Sequence, residues 1–164
     1  MAEQSGLPPV FVSSQAAAKV FDWKAAIAAL QQAYAAPEEP SATPPRTIAS
    51  GGASWLRCLP AAPAGCRYFG AKLMGLSGDA PEPGVQYGIG LYDRKTSRIA
   101  AFVGAEKVTG YRTAATSAAA LGRMAPQRPG RLAVLGSGLE AAMHVRAFAA
   151  TRDFDEVAVF SPTP

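Results

Sequence analysis

Apolar positions recur at helical spacing before residue 36, at strand spacing between 46 and 103, and at helical spacing again from 109. In the first block, Pro9 to Val12 reads as a short strand, and Ser13 or Ser14 is placed to cap a short helix. Asp22 is placed to cap a second helix, whose Trp23, Ile27, Leu30 and Tyr34 share one face and are expected in the core. Residues 36 to 45 hold four prolines and can be neither helix nor central strand. Five extended segments are predicted next, at Arg46–Ser50, Trp55–Pro60, Tyr68–Leu76, Tyr87–Tyr92 and Ile99–Val103, with 93–97 as the polar turn of a hairpin between the last two. The alternation then stops. An alanine-rich stretch predicts a helix capped by Thr109 and ending before Pro126. After a connector at 126–131 come an apolar strand (Leu132–Leu135), a helix (Leu139–Ala150) and a second apolar strand (Val157–Phe160), which is the order of a βαβ unit.

The fold class expected is α/β. A mixed α+β domain over residues 1–128 precedes the start of a parallel, doubly wound sheet over 129–164. A parallel sheet needs helices on both faces, so this βαβ unit is expected to be incomplete, its remainder supplied by further residues or by a second chain. The composition narrows the function. With 49% apolar residues the chain can build a core, and its net charge of +4, from 16 basic and 12 acidic residues, is scattered. There is no Lys/Arg run to grip nucleic acid, and a pocket for a small anion fits better. Cys58 and Cys66 stand among apolar residues without CxxC spacing or a secretory signal, which predicts reduced, buried thiols and a cytoplasmic setting. No apolar run nears the roughly 18 residues of a membrane span, and no metal-ligand pattern is present.

Gly136-Ser137-Gly138-Leu139-Glu140-Ala141 fits G-x-G-x-x-G/A directly between a predicted strand and a predicted helix. Gly136 suits the tight turn, Gly138 lets the backbone approach a pyrophosphate, and Ala141 lets helix and strand pack while the helix N-terminus faces negative charge. The plain alternative is a strand-to-helix turn with two glycines. The end of the second strand chooses between NAD and NADP; there Ser161 and Thr163 stand, with no acid to repel a 2′-phosphate. Asp153, Asp155 and Glu156 precede that strand, at the wrong end. His144, the one histidine, sits two turns into the helix and is expected to pack and hydrogen-bond rather than transfer protons.

Leu91-Tyr92-Asp93, Thr109 with Arg112-Thr113-Ala114-Ala115, and Gly136 through His144 follow one another as L-[FY]-D, T-x-x-RTAA and G-x-G-x-[QE]-A-x-x-H. Upstream, "PPRTIAS", "RCLPA" and "FGAKLMGLS" keep the intervals of the same pattern. From about residue 9 to 164 the sequence resembles the ornithine cyclodeaminase/mu-crystallin family. The resemblance implies a substrate-binding and dimer-forming domain joined to a Rossmann domain, using NAD or NADP on a small amino or imino acid, as a homodimer without nucleic acid or membrane partners. It implies that Arg46, Lys72 and Arg112 surround the substrate carboxylate, with Lys72 also catalytic. It assigns the cofactor Thr113, Gly136, Ser137, Gly138, Leu139, Glu140, Ser161 and Thr163.

Three departures qualify the expectation. Where cyclodeaminases of the family carry a glutamate and a methionine around the Pro-Ala strand, this sequence has Arg57 and Leu59, and position 103, usually acidic, is Val. The catalytic aspartate of the family is expected beyond residue 164. The function expected is hydride transfer at Cα, reducing an imino acid or dehydrogenating an amino acid. The alternatives are an ornithine or lysine cyclodeaminase, or a noncatalytic crystallin-like binder of a nucleotide or other ligand. The 164-residue chain alone is expected to bind cofactor weakly or not at all.

Overall fold

The computed structural model describes residues 8–37, 39–82, 84–128 and 130–162. They group into two compact units: the described residues of 8–19 with those of 39–107, and those of 20–37 with those of 108–162.

The first unit is built on six strands: β1 (Val10–Val12), β2 (Thr47–Gly51), β3 (Ser54–Ala61), β4 (Tyr68–Ser77), β5 (Gln86–Asp93) and β6 (Ile99–Gly104). They lie in the order β1-β6-β5-β4-β3-β2, antiparallel throughout except that β1 runs parallel to β6. Helix α1 (Ser14–Val20) follows β1, and Ser13 caps it by accepting from the Ala16 N–H at 3.1 Å. A 3₁₀ turn at Pro40–Ala42 occupies the proline-rich connection. The β5–β6 turn is organised by Asp93, whose carboxylate accepts from the backbone N–H groups of Lys95 and Thr96 and from Arg67 Nε at 3.2 Å. The Arg67 hydrogen bond foremost, then the two backbone donors, hold the Asp93 carboxyl below its ordinary 3.8 against an opposing desolvation.

The register sorts the sheet into two faces, since side chains alternate. One carries Leu59, Lys72, Ile89 and Val103 in a row across four strands, with Arg57, Met74 and Tyr87 in the next. The opposite face carries Phe11, Leu56, Leu73 and Phe102, which are 75%, 50%, 42% and 48% exposed. Between these apolar side chains Gly88 and Gly90 form the floor of an open groove.

The second unit contains helices α2 (Trp23–Ala35), α3 (Glu106–Met124, from Val108 onward) and α4 (Leu139–Ala149), and the parallel strand pair β7 (Arg131–Leu135) and β8 (Glu156–Phe160). Asp22 caps α2, accepting from the Ala25 N–H at 2.7 Å. Ile27, Ala114, Ala115, Ala118, Met143 and Ala147 form a buried cluster, flanked by Trp23, Leu30, Tyr111 and Phe148. Three alanines of α3 and one of α4 are buried to 2% exposure or less, and a Cβ on Gly110 of α3 would run into the Met143 sulfur of α4, so the two helices approach closely there. Phe21 stacks on Tyr111 with centroids 4.2 Å apart, and Trp23 meets both rings edge-on.

Several expectations need correction. Tyr34 is 69% exposed, because the apolar stripe of α2 is covered only as far as Leu30. Thr109 does not cap α3, which begins at Glu106; its carbonyl instead accepts from the Thr113 hydroxyl at 2.7 Å. Both thiols are free, but Cys66 lies exposed in the β3–β4 connection and only Cys58, inside β3, is half-buried. No helix among the described residues is long and apolar enough to cross a membrane.

Candidate functional site

The glycine turn is built by β7, which delivers its end directly into α4. The Gly136 N–H donates to the Phe160 carbonyl at 2.7 Å, so the turn is fastened to the end of β8. Gly136 has φ +106°, a region that side chains with a Cβ rarely adopt, and here glycine is required by conformation. Gly138 differs. Its φ of −73° suits any residue, and a Cβ placed on it would meet no atom within 4 Å. The fold gives no reason for a glycine at 138; approach of a ligand to the backbone does.

Gly138 is also the N-cap of α4 and offers no side-chain cap, leaving the first-turn N–H groups facing outward with the positive end of the helix dipole. Beside it the Ser137 hydroxyl donates to the Ser161 hydroxyl at 3.0 Å, bringing two sequence-predicted cofactor residues from opposite ends of the βαβ unit together. Leu139, 71% exposed, and Glu140 form the first turn of α4. This arrangement fits a dinucleotide: diphosphate oxygens would be held by the backbone of 136–139 and the α4 N-terminus, with the Ser137–Ser161 pair at the flank. Thr163 lies outside the described residues.

His144 is engaged at both ring nitrogens. Nδ1 lies 2.7 Å from the Glu140 carbonyl, which can only accept, so Nδ1 carries a proton, and Nε2 lies 3.1 Å from the Ser117 hydroxyl. The ring ties α4 to α3 and packs edge-on against Phe148 at 6.1 Å. Arg112 is exposed on α3, and Thr113 is half-buried next to it.

On the sheet of the first unit, the predicted substrate residues Arg46 and Lys72 share a row. Continuing the β2–β3 register by one residue sets Arg46 opposite Leu59, whose other neighbour is Lys72. Strands about 4.8 Å apart then separate the two backbones by roughly 10 Å, within reach of side chains as long as these. Lys72 is half-buried, and its Nζ lies 4.9 Å from the centre of the Tyr87 ring. A third cation joins them. Arg57, on the same face and diagonal to Lys72, lies with its guanidinium 5.5 Å from the Trp55 ring centre. Tyr87 and the placement of Arg57 beside Lys72 escape sequence reading, because both follow from register rather than from any local pattern.

The sequence profile of the ornithine cyclodeaminase/mu-crystallin family matches residues 12–164. The chain belongs to that family. Over 74 residues it is 36% identical to an iminosuccinate reductase of Paracoccus denitrificans, a match covering 45% of this chain and 23% of that protein. The solved structure of the Paracoccus denitrificans iminosuccinate reductase, in complex with NAD⁺, superposes with a TM-score of 0.82 at 25% identity over 95% of this chain and 50% of its own. The fold is shared with an archaeal alanine dehydrogenase dimer with bound NAD (TM-score 0.79, 21% identity, 94% of this chain and 49% of that one). It is shared also with the Δ1-pyrroline-2-carboxylate reductase of Thermococcus litoralis in complex with NADH and L-proline (TM-score 0.77, 21% identity, 94% and 50%). The chain spans about half the length of these solved relatives.

Proposed function

We propose that the protein carrying this sequence is an NAD(P)-dependent oxidoreductase that reduces an imino acid, or dehydrogenates the corresponding amino acid, at Cα. The observation that carries this reading is the shared sheet row of Arg46 and Lys72, two cations at one apolar face, in a chain whose second unit contains a glycine turn suited to a diphosphate. The reductases among its relatives support it.

Reduction of C=N adds a hydride at carbon and a proton at nitrogen. Bound nicotinamide would supply the hydride, while residues of this chain hold and orient the substrate. Arg46 holds the substrate carboxylate through its planar fork, and charge-assisted bonds of this kind are worth about 1.5–3 kcal/mol each. Lys72 holds the same carboxylate or polarises a water that donates the proton to nitrogen. Arg112 is assigned the same carboxylate, and Thr113, Gly136, Ser137, Gly138, Leu139, Glu140, Ser161 and Thr163 the cofactor. The absence of an acid at Phe160-Ser161 leaves NADP as acceptable as NAD. The exposed face of Phe11, Leu56, Leu73 and Phe102 supports a homodimer in which a second copy covers it.

The test is to follow consumption of reduced nicotinamide by the complete gene product with pyrroline-2-carboxylate, piperideine-2-carboxylate, or pyruvate plus ammonia. Turnover, with Lys72→Met and Arg46→Met each lowering kcat/KM by about 10-fold or more, is the result expected. Turnover of ornithine to proline without added reductant would instead favour the cyclodeaminase reading, against which Arg57 stands at the position of the family's glutamate. Tight NADPH binding with no turnover of any of these would favour a noncatalytic binder.

A further inference from the structure

We propose that Arg57 receives a second carboxylate, making the substrate a dicarboxylic amino or imino acid. The inference rests on the reading of Arg46 and Lys72 as holders of the first carboxylate. Arg57 lies across from Met74, one step along the strand pair from the Leu59–Lys72 pair. Diagonal cross-strand neighbours on one face stand roughly 7–8 Å apart, a separation that two long cationic side chains can close around the two ends of a short diacid.

Three further observations concern Arg57 itself. Its Nε is buried and finds no hydrogen-bond partner among the described residues. Buried N–H groups are nearly always satisfied, so this inner edge of the guanidinium is closed off by the protein and its terminal Nη groups are the ones left to meet an acceptor. The guanidinium rests against the Trp55 ring, which restricts the fork before any ligand arrives. Finally, no carboxylate of this face neutralises it. By parity Asp93 is the one acid among the paired residues there, six positions along β5 from Tyr87 and engaged by Arg67 at 3.2 Å. A planar fork with no acid beside it suits a carboxylate, which its two Nη groups can meet with two parallel hydrogen bonds.

The experiment is calorimetric titration of the complete gene product, in the presence of NADH, with L-aspartate and succinate against L-alanine and propionate. Wild type, Arg57→Met, Arg57→Lys and Lys72→Met are compared. The expected result is that the diacids bind about 10- to 100-fold tighter than their monoacid counterparts. Arg57→Met abolishes that difference and leaves alanine binding unchanged, while Arg57→Lys keeps part of it. Thermal unfolding of Arg57→Met is expected to be no lower than wild type, because the variant removes an unsatisfied donor. If aspartate and alanine bind alike and both are lost in Lys72→Met, the role of Arg57 is wrong and the carboxylate site stands. If Arg57→Met weakens both ligands equally, the residue is structural and the proposal falls. If none of the four ligands binds, the sheet face is not a substrate site and the reading beneath the proposal falls with it.

Discussion

Two residues, Gly138 and Asp93, make distinct predictions. In the complete gene product Gly138→Ala is expected to unfold at the temperature of wild type, because a Cβ there meets no atom within 4 Å, yet to lose NADH affinity by about 10-fold as the methyl group blocks the approach to the turn, the loss of about one charge-assisted bond. Equal melting curves with unequal NADH titrations would establish the glycine as a ligand requirement; the same affinity in both proteins would contradict it. Gly136→Ala is the contrasting control, since φ +106° makes it a folding defect. At Asp93 the folded carboxyl titrates below its unfolded value of 3.8. A depressed pKa contributes stability that is present above the unfolded value and is lost as pH falls through the folded one. Asp93→Asn should therefore melt below wild type at pH 7, and the gap should close under acid conditions below the ordinary carboxylate range.

The elements were largely legible because their patterns are local. Every predicted strand and helix is present with its ends moved by a few residues: the alternation of Tyr68 to Leu76 could only be a strand, and Asp22 before Trp23 could only start a helix. Of the site, the glycine turn could be read, whereas the alignment of Arg57 with Lys72 could not, because it depends on which residue of β3 faces which of β4. A one-residue slip would put the two on opposite faces. The beginning of α3 was misplaced because Thr109 imitates a cap while the chain leaving β6 already turns helical at Glu106. The packing of α3 on α4 also escaped, since alanine-rich helices carry little hydrophobic contrast. It can be tested: with Ala118 2% exposed and Ala147 fully buried, Ala147→Leu should overpack the contact and cost about 1–3 kcal/mol. Denaturant titration measures this, and a variant as stable as wild type would mean that the helices can separate at no cost.

For the whole molecule, the sheet's apolar face bears on the homodimer proposed above. Side chains as large as Phe11 and Phe102 left about half exposed or more, beside a glycine floor, are uncommon on a monomer. Sedimentation of the wild type is expected to show a dimer, and the double substitution Leu73→Glu and Phe102→Glu to give a monomer, because unpaired charges would have to be buried in the interface. A wild type that sediments as a monomer at all concentrations would exclude this face as a self-association surface. The parallel placement of β1 beside β6 has a temporal consequence during synthesis. Val10, Phe11 and Val12 leave the ribosome long before Ala101, Phe102 and Val103, and the hairpins of β2 through β5 can zip locally in the meantime. Within this sheet the first strand made is thus the last to find its partner, and until then its apolar tripeptide stays unpaired.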